Sequence, residues 1–241
     1  MDLVIIPVAG EGARFKDAGY TTAKPFIQFQ GKSFLEHVLV NASECNSEVM
    51  IVVRDDILRE YSNEIKTLES IYGFSIASIA ERTKGAGATA TIALSRLDNL
   101  DSVLFLDCDT FYNRNIISEF VKYSISINCD GSVLSFGSTD PGFAYIARDQ
   151  NGKITELVEK NVVSHEAVSG AYLIRDSRMF LEVGIEELAF NKFEKELYTS
   201  QVITQMIKRR NAEFVSQRIK PDEITCCGNP ELFIQNGGIK R

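Results

Sequence analysis

Up to about residue 130 the chain alternates short runs rich in Val, Ile and Phe with segments of helical period, and this alternation narrows its fold most. The runs Leu3–Pro7, Glu48–Val53, Phe74–Ala80 and Ser102–Leu106 are predicted strands. Between them, Ser33–Cys45, Asp56–Tyr72 and Ala88–Leu97 space their apolar residues as helices do. Asp55 and Asp56 are candidate caps for the second helix, and Gly73 is a candidate stop. Strands joined by helical crossovers form a mainly parallel sheet with helices on both faces, so an α/β fold is expected.

Beyond residue 130 the pattern changes. Ser132–Phe136, Phe143–Arg148, Lys153–Glu159 and Val168–Arg175 are predicted strands separated by short turns. Gln150-Asn151-Gly152 is a hairpin signal joining the second and third of them. Helices are expected at Ser177–Val183 and Ser200–Arg210, then a strand at Glu213–Arg218 and a helix near Pro230–Gln235. With no repeat or linker in view, one domain over 1–241 is the simplest organisation, with halves at about 1–130 and 131–241.

The chain is 44% apolar and carries a formal charge of −7, enough core for a stable domain and the wrong sign for nonspecific nucleic-acid or membrane binding. Leu3–Val8 is too short for a signal peptide core, and no later run reaches transmembrane length. Five cysteines without metal-ligand spacing fit a reducing cytoplasm better than a disulfide framework or a zinc site.

The first predicted strand runs into Ala9-Gly10-Glu11-Gly12-Ala13-Arg14-Phe15. A glycine-rich loop at the carboxyl end of such a strand is where open α/β sheets take ligands, and successive amides in such a loop favour anions. Arg14 and Lys24 add positive charge there. Neither common phosphate fingerprint fits: Lys16 is flanked by Phe15 and Asp17, unlike a Walker loop, and Phe15 stands where a dinucleotide loop needs Gly or Ala. A second cluster, Gly85-Ala86-Gly87-Ala88-Thr89-Ala90, does fit GxGxxA and leaves a dinucleotide-binding oxidoreductase as an alternative. Its flaw is the hydrophilic Glu81-Arg82-Thr83-Lys84 between strand and glycine. A small-residue helix packed on the sheet explains the same cluster.

At the end of the Ser102–Leu106 run stand Asp107 and Asp109. Side chains two apart on an extended chain point the same way, so both carboxylates can face one Mg²⁺, which takes one or two protein carboxylates plus water and phosphate oxygens.

With these pieces in their order, the chain resembles the sugar-phosphate nucleotidyltransferases, or nucleoside-diphosphate-sugar pyrophosphorylases. The resemblance rests on Gly10 to Phe15, Lys24-Pro25, Gly31-Lys32, Gly85 to Thr89 and Leu106-Asp107-Cys108-Asp109. It continues through Glu159-Lys160, Ser169-Gly170-Ala171-Tyr172 and Gly228-Asn229-Pro230-Glu231. Phe15 to Tyr20 looks like the branch associated with bacterial surface polysaccharides, including capsule.

The resemblance implies a Rossmann-like sheet with a smaller, strand-rich acceptor half. It implies that Ala9, Gly10, Glu11, Gly12, Ala13, Arg14 and Lys24 hold an NTP, that Glu81, Gly85 and Ala86 line the base pocket, and that Asp107 holds Mg²⁺ with Asp109. Ala144, Glu159, Lys160 and Gly170, with Asp109, would face a phosphorylated acceptor, a sugar 1-phosphate first. A cytidylyltransferase acting on a non-sugar phospho-compound and a non-catalytic nucleotide-binding module are the alternatives. The base and the oligomeric state stay open.

Two positions depart from the family pattern. Cys226 stands where many members carry an Asp metal ligand, and Ala144 where many carry Gly against the sugar. The expected chemistry needs no protein base, since a phosphate nucleophile is already ionised near neutral pH. His37 on a helical stretch and His165 in a polar loop are therefore expected to be structural and solvated, respectively.

Overall fold

A computed structural model describes residues 1–97, 101–190 and 196–240. Strand β1 (Leu3–Pro7) enters the glycine loop and a short helix, α1 (Ala13–Asp17). The hairpin β2 (Gln28–Phe29) and β3 (Lys32–Ser33) precedes α2 (Phe34–Ser43), which Ser33 caps by accepting from the Glu36 amide at 3.1 Å. Then come β4 (Glu48–Arg54), α3 (Asp55–Glu60), α4 (Ser62–Tyr72), β5 (Ser75–Ile79), α5 (Ala86–Leu94), β6 (Val103–Leu106), β7 (Thr110–Tyr112) and α6 (Ile116–Ser126). The second half contributes β8 (Gly131–Gly137), β9 (Ala144–Arg148), β10 (Ile154–Glu159), β11 (Glu166–Ile174), α7 (Ser177–Phe190) and α8 (Thr199–Arg210). It ends with β12 (Phe214–Ile219), β13 (Ile224–Cys226) and α9 (Pro230–Gln235).

Among the described residues one nine-stranded sheet holds these parts together. β1 lies between β4 and β6, parallel to both, and β5 extends the parallel run beyond β4. The second half joins through β11, antiparallel to β6, and adds β8, β9 and β10 in antiparallel pairs. The sheet is parallel throughout the nucleotide half, as expected, while the other half mixes these antiparallel pairs with β12, which runs parallel to β8. β1 is buried on both faces: Val4, Ile6 and Val8 pack into one apolar cluster, and Leu3, Ile5 and Ala9 into the other. This is why its sequence is a continuous apolar run without alternation.

The helix expected over Asp56–Tyr72 is two helices. Tyr61 breaks it at φ −108° and ψ 28°. Its ring stacks on Phe26 with centroids 4.1 Å apart, and its hydroxyl accepts from the Ala23 amide at 2.9 Å. A tertiary contact to the segment carrying Lys24 thus overrides helical period. Asp55 and Asp56 lie inside the first turn of α3 and do not cap it, while Gly73 ends α4 at φ +65°, as expected. The helix predicted over Ser177–Val183 continues to Phe190.

Candidate active site

The carboxyl ends of β1 and β6, the start of α5 and the open end of the β9–β10 hairpin surround a cleft of about 740 Å³. The glycine loop forms one wall. Gly12 takes φ +65°, and a Cβ there would lie 2.9 Å from the Cβ of Lys24, so the missing side chain lets the lysine stem pack against the loop. Phe15, the residue that ruled out a dinucleotide fingerprint, is an anchor. It is buried edge-on against Tyr20, Phe34 and Phe233, at 5.3–5.9 Å between centroids, and ties the loop to α2 and α9.

Gly10, Glu11, Gly12, Ala13 and Arg14 line the cleft, whereas Ala9 is buried beneath it in the core. Arg14 is exposed and makes no ion pair among the described residues. Glu11 instead pairs with Arg82 at 2.6 Å, joining the first loop to the segment before α5. In that segment Arg82, Thr83, Lys84, Gly85 and Ala86 line the cleft. Glu81, expected among them, is exposed and outside the lining.

The second glycine cluster serves close backbone approach. A Cβ on Gly85 would fall 2.4 Å from the Leu197 carbonyl oxygen, and one on Gly87 would fall 2.7 Å from Tyr198 backbone. The Gly87 amide donates to the Leu197 carbonyl at 2.9 Å, and the Leu197 amide donates to Lys84 at 2.8 Å. An amide spent on the chain cannot cradle a pyrophosphate, so the GxGxxA match is packing and the dinucleotide alternative loses its site.

Lys24 and Asp109 form an ion pair, and the Lys24 ammonium also donates to the Gly228 carbonyl at 3.3 Å. Burial alone would push Lys24 down and Asp109 up. Their attraction outweighs it, so Lys24 lies above and Asp109 below its ordinary range. The expectation that Asp107 and Asp109 share one partner is therefore modified: Asp109 is engaged by Lys24.

Asp107 differs. Its side chain has no hydrogen bond or ion pair among the described residues, and burial, reinforced by the Asp109 charge, raises it well above the carboxylate range. Its amide donates to the Gly170 carbonyl at 2.9 Å. Gly170 sits at φ +91° in an irregularity of β11, and a Cβ there would lie 2.7 Å from Asp107 Oδ2. The structure thus keeps an unpaired oxygen donor in the cleft, which fits a hard divalent cation such as Mg²⁺.

Cys226 also lines the cleft, at the end of β13 where it pairs with Thr110. Burial, then the Asp109 charge, raises its thiol far above the ordinary range and keeps it neutral. A neutral thiol is a poor Mg²⁺ ligand. Cys226→Ala is accordingly expected to keep turnover at saturating Mg²⁺ within about severalfold of wild type. A loss of about a hundredfold would give the thiol a catalytic contact.

The acceptor-side residues meet at the open end of the hairpin. The Gln150-Asn151-Gly152 turn closes the hairpin, and a register shift between Ile154 and Glu156 then places Glu159 opposite Ala144. Lys160 follows at φ +55°, its amide donating to the Phe143 carbonyl at 3.1 Å. Ser200 donates to Glu159 Oε2 at 2.6 Å, while burial raises Glu159 above its usual range. The Lys160 ammonium turns to the Tyr198 hydroxyl and lies 3.8 Å from Glu196. Glu196, Tyr198 and Ser200 carried no motif; the only trace of their segment in the sequence was the paired glycines it packs against. No histidine lines the cleft: His37 bonds the Phe29 carbonyl oxygen at 2.8 Å, and His165 is exposed.

Residues 4–168, more than half of the chain, match the MobA-like NTP transferase domain. The chain belongs to this nucleotidyltransferase family. Beyond the family match, the chain is 27% identical over 208 residues to the bifunctional protein GlmU of Lactococcus lactis, covering 83% of this chain and 43% of that protein. It is 22% identical over 183 residues to the catalytic subunit beta of mannose-1-phosphate guanylyltransferase from Drosophila melanogaster, covering 72% and 48%. The chain thus spans less than half the length of these curated relatives. Its fold superposes on a nucleoside-diphosphate-sugar pyrophosphorylase from Vibrio cholerae with a TM-score of 0.79, at 24% identity over 97% of this chain and 98% of that one. A UDP-glucose pyrophosphorylase complexed with UDP-glucose gives the same TM-score at 17% identity, covering 98% and 97%. Among the described residues, no helix is long and apolar enough to cross a membrane.

Proposed function

We propose that the chain transfers a nucleoside monophosphate from an NTP to a phosphorylated small molecule, a sugar 1-phosphate first among the candidates, with release of pyrophosphate in the cytoplasm. The observation that carries this reading is the convergence of three parts on one cleft. These are the glycine loop with its cations, the unpaired Asp107, and the Glu159–Lys160 end of the hairpin.

An oxygen of the acceptor phosphate attacks the α-phosphorus. The new P–O bond forms as the bond from that phosphorus to the oxygen bridging the β-phosphate breaks, and the electron pair leaves with pyrophosphate. The attacking phosphate is already ionised, so the protein supplies no base, in keeping with a cleft without histidine. Arg14 and Lys24 oppose the charge that grows on the phosphates, and the Gly10–Gly12 amides can add donors. Asp107 would hold Mg²⁺, which when bound neutralises phosphate charge and stabilises the leaving group. Lys160, at the acceptor end, meets the acceptor phosphate, with Gly170 and Ala144 bounding the space beside it.

The test is pyrophosphate release with each NTP, Mg²⁺ and a panel of sugar 1-phosphates and other phosphorylated acceptors. NTP binding without turnover on any of them would favour a nucleotide-binding module. Lys160→Ala is expected to raise the acceptor KM by about tenfold or more while leaving NTP affinity nearly unchanged, because it meets one substrate only. An effect mainly on NTP binding would move the pair to the other half of the site.

A further inference from the structure

Three carboxylates gather at the acceptor end of the cleft around one lysine, with Arg14 the further cation whose charge reaches Glu159. Asp107, Glu159 and Glu196 line it beside Tyr172 and Tyr198, and Lys160 is the cation that the hairpin brings among them. Lys160 is turned toward Glu196 and Tyr198, and Glu159 makes no ion pair among the described residues. Among the described residues, the one hydrogen bond to the Glu159 carboxylate comes from Ser200, a neutral donor. Tyr172 is 6% exposed, and its hydroxyl has no partner among the described residues.

An incoming phosphate sharpens the imbalance. Once Lys160 turns to it, Glu196 loses its cation as well, and a cation on Asp107 still leaves Glu159 uncompensated. A hydroxyl group can donate a hydrogen bond to a buried carboxylate, but it does not cancel the charge. An ammonium does both, and the Tyr198 ring face, which the Lys160 ammonium covers at 4.5 Å, is freed for it once Lys160 turns to the phosphate.

Resting on the nucleotidyl-transfer reading, we infer that the acceptor carries a cationic nitrogen as well as its phosphate, seated on Glu159 between Tyr172 and Tyr198. The acceptor is then a phosphorylated amino compound, whether an amino sugar or an acyclic amine.

The experiment measures kcat/KM for pyrophosphate release with two matched pairs. These are glucosamine 1-phosphate against glucose 1-phosphate, and phosphoethanolamine against 2-hydroxyethyl phosphate, each with all four NTPs and Mg²⁺. In at least one pair the amine is expected to be favoured by about tenfold or more, and the pair that shows it separates sugar from acyclic acceptors. Glu159→Gln should bring that ratio close to one, and Glu159→Asp, which keeps the charge, should preserve it. Turnover with a ratio near or below one in the wild type, or a ratio that survives Glu159→Gln, overturns the inference alone. Absence of pyrophosphate with every acceptor overturns the nucleotidyl-transfer reading and the inference with it.

Discussion

Asp107→Asn is expected to lower turnover by on the order of a thousandfold or more while the protein stays folded. The two halves of this expectation have separate causes. Activity falls because the amide is neutral and a weak ligand for a hard cation, and Asp107 is a cleft carboxylate whose side chain has no partner among the described residues. The fold survives because the side chain holds nothing in place: the link to Gly170 is made by the Asp107 backbone amide, which the substitution keeps. An unpaired charge in a buried position costs stability, so its removal should leave the melting temperature equal or higher. Steady-state pyrophosphate release checks the first half and thermal unfolding the second. Full activity of the wild type in excess chelator would remove the cation from the mechanism.

The parts of the site that were legible in the sequence are those built from local chain geometry. Gly10, Gly12 and Arg14 lie within one loop, and Asp107 and Asp109 are neighbours at a strand end. The Gln150-Asn151-Gly152 turn marks the hairpin that brings the Ala144 and Glu159 strands together. In each case the spacing along the chain is the spacing in space. The Lys24–Asp109 pair spans 85 positions, and neither residue type nor local period announces it. The same holds for Tyr61, which leaves its helix to reach Ala23 and Phe26. Ser200 meets Glu159 across 41 positions. Gly85 and Gly87 were conspicuous for a physical reason, close approach by something, but the visitor was the chain's own Leu197–Tyr198 backbone. Glycine records that space is needed without recording for what.

Arg14→Ala and Lys24→Ala are expected to separate two roles that look alike in the sequence. Both should slow turnover by about a hundredfold or more, the scale for losing a charged contact in the transition state. Their effects on stability should differ. Arg14 is exposed and makes no ion pair among the described residues, so its loss should change unfolding stability by no more than about 0.5 kcal/mol. The Lys24 side chain is 14% exposed and its partner Asp109 21%. Removing the lysine leaves the Asp109 carboxylate without its cation and strips the donor from the Gly228 carbonyl. Leaving one member of a largely buried pair costs about 2–4 kcal/mol. The pH dependence follows from the sign of the shift. Asp109 lies below its ordinary range when folded, so the pair's stability is present at neutral pH and is lost as acid protonates Asp109. The difference between wild type and Lys24→Ala should therefore shrink toward acid pH, whereas that for Arg14→Ala, a weaker influence on Asp109 than Lys24, should change much less. Denaturant unfolding at several pH values measures both. Equal stability losses in the two variants would mean that the Lys24–Asp109 pair does not stabilise the fold beyond what an exposed arginine does.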